Sequence, residues 1–102
     1  MSQFRITVLK VNGDSELAEE YCLHGAKAAP CTAFKEGQVF VTENLDQPKD
    51  FCTWAWDDIF KYITLLHCGG SMSDHMKYKD IVIACCTDGI RPVVFKIEKI
   101  KS

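Results

Sequence analysis

Apolar and polar residues alternate along "FRITVLKVNG", with Phe4, Ile6 and Val8 on one side and Arg5, Thr7 and Leu9 on the other. A period of two marks a strand with one buried face. A strand is therefore expected over roughly Phe4 to Val11, closed by Asn12-Gly13. Asp14 can cap a short helix in "SELAEEYCLHG", ended by Gly25. Its three glutamates, Glu16, Glu19 and Glu20, sit in the N-terminal half, where the helix dipole favours acids. "AKAAPCTAFKEGQ" is punctuated by Pro30 and Gly37 and reads as loop, and "QVFVTE" reads as a second strand.

The pattern then changes period. In "DFCTWAWDDIFKYITLLHCGG", Cys52, Trp56, Ile59, Ile63 and Leu66 recur in alternating steps of four and three, which makes one buried stripe on a helix. Asp50 is the expected cap and Cys68-Gly69-Gly70 the stop. Trp54 falls on the opposite side with Asp57, Asp58 and Lys61. The chain closes with "IVIACC", Asp88-Gly89 and "RPVVFKIEKI", two β-rich runs around a dipeptide that favours a type I′ hairpin turn. The element order β-α-β-α-β-β predicts a compact α+β domain over residues 1–102: a mostly antiparallel or mixed sheet, two helices and a C-terminal hairpin.

Composition narrows the function classes. A hydrophobic content of 47% with 25% charged residues fits a folded chain and argues against disorder. The formal charge of -2 offers no basic stripe for phosphates, so nucleic acid is not an expected partner. No apolar run reaches membrane-spanning length, and "MSQFRITVLK" lacks the hydrophobic stretch of a signal peptide. The chain is expected in the cytoplasm, with no membrane contact and with a homo-oligomer or a protein partner left open.

That setting bears on the six cysteines, because structural disulfides are rare in a reducing compartment. Ligands, reactive thiols or small core residues are the alternatives. No Cys-x-x-Cys is present and the three histidines are scattered, so any metal site must be thiolate-rich and drawn from distant segments. The candidates are Cys31 in a loop, Cys52 at the start of the long helix, and Cys85 or Cys86 at the hairpin. Such ligands select an iron-sulfur cluster, zinc or Cu(I). Strand alternation sends Cys85 and Cys86 to opposite faces. If Asp88-Gly89 is the whole loop, Cys86 faces Arg91 and joins Val82, Ala84, Val93, Phe95 and Ile97. Two other readings stand beside the metal: a thiol redox enzyme or sensor using Cys52, with Cys31 or Cys85 resolving it, and an interaction module whose Trp54 face binds a partner. Arg91 is placed to hold an anion or a carboxylate such as Asp58.

The combination "PC…F..GQVF", "FCTWAWDDI", "CGG" and "CCTDGIRPVVFKIEKI" resembles a small family of uncharacterised bacterial and archaeal proteins, many from anaerobes. The resemblance covers most of the chain and is most specific at Cys-x-Trp-Ala-Trp and Cys-Cys-Thr-Asp-Gly-x-Arg-Pro. It implies that Cys31, Cys52 and the Cys85/Cys86 pair belong to a shared pattern, with Cys22 and Cys68 peculiar to this chain. Some relatives carry Cys-Pro in place of Cys-Cys, which implies Cys85 as the shared ligand. The expectation is a cysteine-ligated metal protein, iron-sulfur first and zinc second; no reaction follows from the resemblance.

Overall fold

The computed structural model describes residues 2–25 and 30–101. Residues 26–29, the start of the expected loop, lie outside the described residues. The elements are β1 (Gln3–Val11), α1 (Ser15–Tyr21), β2 (Val39–Glu43), α2 (Thr53–His67), β3 (Ile81–Cys85) and β4 (Val93–Lys101). The four strands form one sheet in the order β2-β1-β4-β3, with every neighbouring pair antiparallel. The result is the expected α+β domain with its C-terminal hairpin. No helix among the described residues is long and apolar enough to cross a membrane.

Period-two patterning sets which sheet face is buried. Phe4, Ile6 and Val8 from β1 meet Phe95 and Ile97 from β4 and Val82 from β3 on the inner face, all essentially without solvent contact. Arg5, Lys96 and Glu98 occupy the outer face as ion pairs, Arg5 Nε to Glu98 Oε1 at 3.1 Å and Lys96 Nζ to the same oxygen at 3.4 Å. A register shift between Val8 and Lys10 inserts Leu9 as an extra residue against β4. An extra residue reverses the alternation, so Val11 also packs on the core side although it lies an odd number of positions from Val8.

α2 lays Ala55, Trp56, Ile59, Ile63 and Leu66 against β3 and β4. Its C-terminus is a Schellman motif: Gly69 N–H donates to Leu66 O and Gly70 N–H to Leu65 O. Gly69 takes φ +85°, which a side chain would strain. The N-terminus departs from expectation. The N-cap is Cys52, and Asp50 sits two residues earlier at φ +64°. The turn there serves Phe51, which is buried among Phe34, Phe40, Trp56 and Phe95 with ring centroids 4.9 to 6.0 Å away. Likewise α1 is capped by Asp14 as expected but stops at Tyr21, before Gly25.

The hairpin is the other correction. Neither Asp88 nor Gly89 has positive φ, so no type I′ turn forms. Cys85 faces Val94 in the ladder, and Cys86 N–H donates to Val93 O at 3.1 Å, so Cys86 faces Val93 rather than Arg91. Residues 86–92 make a wider loop, tied to the chain after β1 by Asn12 N–H to Pro92 O and Asp14 N–H to Ile90 O.

Candidate functional site

The wide loop, the N-terminus of α2 and the segment after Pro30 converge on one cleft of about 140 Å³. Cys31, Cys52 and Cys86 all line it, with Phe34, Ala55 and Val93 as apolar wall and Trp54, Asp88 and Arg91 as the remaining side chains of note. Each thiol arrives for a local reason. Cys52 is placed by the buried stripe of α2, on whose first position it packs partly against the core. Cys86 is placed by the alternation of β3, which turns it inward with Val82 and Ala84. Cys31 rests against the core just before Phe34, whose ring packs edge-on to Phe95 at 5.1 Å.

Cys86 is the most enclosed thiol, 9% exposed. Its sulfur accepts the Val93 N–H at 3.3 Å, and its thiol donates to the Arg91 carbonyl at 4.0 Å. Cys85 points the other way. It is exposed and lines a separate groove with Asp57, Asp58, Lys61 and Tyr62. Cys22 and Cys68 cap the ends of α1 and α2, away from the cleft, and all six cysteines are free thiols. Among the described residues, no group of three or more His, Cys, Asp or Glu side chains is assembled to hold a metal ion.

Comparison with protein-family models, curated proteins and solved structures yields no match. The function must be argued from the cleft itself.

Two side chains of α2, Asp58 and Trp54, hold the loop that carries Cys86. The Asp58 carboxylate on α2 accepts the Thr87 N–H at 2.7 Å and the Thr87 hydroxyl at 3.0 Å, and Trp54 Nε1–H donates to the same hydroxyl at 3.0 Å. Trp54 is 60% exposed, and its polar end is held by this bond. Residues near one another on α2 thereby clamp the strand-end thiol beside the helix-cap thiol. Charge-assisted hydrogen bonds of this kind each contribute about 1.5–3 kcal/mol when shielded and less at a surface. Asp58→Ala should therefore cost about 1–2 kcal/mol and speed amide exchange at Thr87. Asp57→Ala, on an exposed neighbour, should cost less than about 0.5 kcal/mol in the same chemical denaturation series.

The expected Arg91–Asp58 pair does not form. Arg91 Nε instead donates to Asp88 Oδ2 at 3.3 Å, while Asp88 Oδ1 accepts the N–H groups of Ile90 and Arg91 at 3.0 and 2.9 Å. The i, i+3 spacing of Asp88 and Arg91 was the available signal for this pair. Burial works against the Asp88 charge, but the two amides and the Arg91 guanidinium outweigh it and hold the carboxyl below its ordinary 3.8. A carboxyl lowered on folding adds stability that is fully present above its unfolded value and is lost as pH falls through its folded value. The loop anchor should hold at neutral pH and weaken only below about pH 4. Asp88→Asn should accordingly give a shallower fall of stability with acid, read as unfolding midpoint against pH between 5 and 2.

Proposed function

We propose that this chain is a small thiolate-ligand protein in which Cys31, Cys52 and Cys86 hold a soft metal centre, an iron-sulfur cluster ahead of zinc. The observation that carries this is the convergence of those three thiols, from loop, helix cap and strand end, on one largely apolar cleft. The donor set fits by type, since thiolates select such centres and the ligands need no local motif. A backbone N–H on the Cys86 sulfur is also the kind of hydrogen bond that tunes a bound cluster. Among the described residues the thiols are not drawn together as a finished ligand group, so loading would require them to approach one another. Asp88 is committed to Arg91 and two amides, so the three thiols are the residues that would hold the centre. Free thiols suit a reducing compartment such as the cytoplasm.

Anaerobic purification followed by iron, sulfide and zinc analysis and a visible spectrum tests the proposal. About one metal centre per chain is expected, lost on chelation together with part of the stability. Metal-free protein of unchanged stability would end it.

A second reading has its own support. Cys52 is the half-buried N-cap of α2 and makes no side-chain capping bond, at a helix end where the first N–H groups lack intrahelical partners. In that reading Cys52 is the reactive thiol and Cys31 its resolving partner; Cys85, in the other groove, is not. If metal-free Cys52 is alkylated at neutral pH no faster than a model thiol, this reading fails.

A further inference from the structure

Arg91 has an arrangement that neither the metal nor the thiol reading uses. Its Nε is held by Asp88, and Asp88 is itself immobilised by two backbone amides, so the guanidinium is fixed from behind. Among the described residues, the two terminal nitrogens of Arg91 have no hydrogen-bond partner. Arg91 lines the thiol cleft, and its side chain is 37% exposed, so a molecule entering from solvent can reach it. A guanidinium fork held in this way is pre-organised for a planar carboxylate, which two parallel N–H groups can grip.

The rest of the cleft limits what that carboxylate can be attached to. Ala33, Phe34, Ala55 and Val93 make an apolar wall; besides the thiols, Thr32 adds one hydroxyl, Asp88 is already paired with Arg91, and Trp54 commits its indole N–H to Thr87. An apolar cavity of about 150 Å³ is enough for benzene, and this cleft is about 140 Å³. From the size, the largely apolar wall and the pre-set Arg91 cation, we infer that the cleft receives a small carboxylic acid. Its body is about the size of a benzene ring, and its carboxylate is gripped by Arg91. This names the class of molecule that the same cleft would take in its metal-free form, and it rests on that cleft being the working site proposed above.

Benzoate and its neutral counterpart benzamide are the probes, titrated into isotope-labelled protein freed of any metal by chelation and followed by amide chemical shifts. Benzoate should shift Ala33, Ala55 and Val93 and bind about tenfold or more tightly than benzamide, the value of one charged hydrogen-bonded pair. Arg91→Met should bring benzoate down to the level of benzamide, and Arg91→Lys should fall between. The inference is overturned if benzoate does not bind, if it binds no better than benzamide, or if its shifts lie away from the cleft. Equal benzoate binding by wild type and Arg91→Met overturns it too. Should Arg91→Met fail to fold, the benzoate–benzamide comparison on wild type decides alone. Metal content measured on the same samples before chelation separates the two proposals. Protein purified without metal that prefers benzoate sinks only the metal centre, and protein purified with metal whose chelated form does not prefer benzoate sinks only this inference.

Discussion

Phe95→Ala is expected to lower the free energy of unfolding by about 3–5 kcal/mol, the cost of deleting a fully buried aromatic ring and leaving its cavity. Phe95 has no solvent exposure and sits mid-strand in β4, opposite Val8 on one side and Ala84 on the other. Its ring meets Phe34 at 5.1 Å and Phe51 at 5.5 Å, so one deletion removes a shared contact of two aromatics that lie in loops. A domain of ordinary stability has only about 5–15 kcal/mol in total, and the variant should be largely unfolded in mild urea. Val41→Ala on the open face, where the side chain is half exposed, should cost less than about 1 kcal/mol. A urea series in which the two variants behave alike would show that the aromatic cluster does not carry the fold. Because Phe34 also walls the thiol cleft, Phe95→Ala should loosen that site even under conditions where the protein remains folded.

What could be read in the chain depended on how local each cause was. Strand faces were legible because alternation is a property of the chain itself, and it survived an error in the turn. The loop from Cys86 to Pro92 is wider than an Asp-Gly turn, yet moving the partner of Cys86 from Arg91 to Val93 is a shift of two, which leaves every side chain on its own face. The turn itself was misread because Asp88 uses its carboxylate to cap Ile90 and Arg91, a job that needs no positive φ. Asp50 looked like a helix cap for the same local reason, but burial of Phe51 decides the backbone there. The cleft was legible only as a set of candidates. Nothing in the spacing of Cys31, Cys52 and Cys86 says that they line one cleft; that follows from Phe34 and Phe51 packing on Phe95, which is tertiary. The Asp58–Thr87–Trp54 clamp had no sequence signal, since Thr87 is an ordinary loop residue until the helix lies beside it.

The adjacent cysteines give the sharpest test, because neighbouring positions should respond in opposite ways. Cys86→Ser should abolish metal binding while Cys85→Ser leaves it intact, as measured by metal per chain after anaerobic purification. The physical ground is the face each occupies: Cys86 turns into the cleft with Cys31 and Cys52, and Cys85 turns out toward Asp57 and Lys61. Stability should divide in the same direction. Cys86→Ala removes the acceptor for the buried Val93 N–H, and an unpartnered buried donor costs about 1–3 kcal/mol. Cys85 is exposed, and its replacement by serine should stay within about 0.5 kcal/mol of wild type. Cys86→Ser, which keeps an acceptor for Val93, separates the two roles: a protein that folds like wild type and holds no metal assigns the sulfur to the ligand set. If Cys85→Ser loses the metal and Cys86→Ser keeps it, the metal lies on the opposite side of β3 from Cys31 and Cys52, and the three-thiol cleft is not the site.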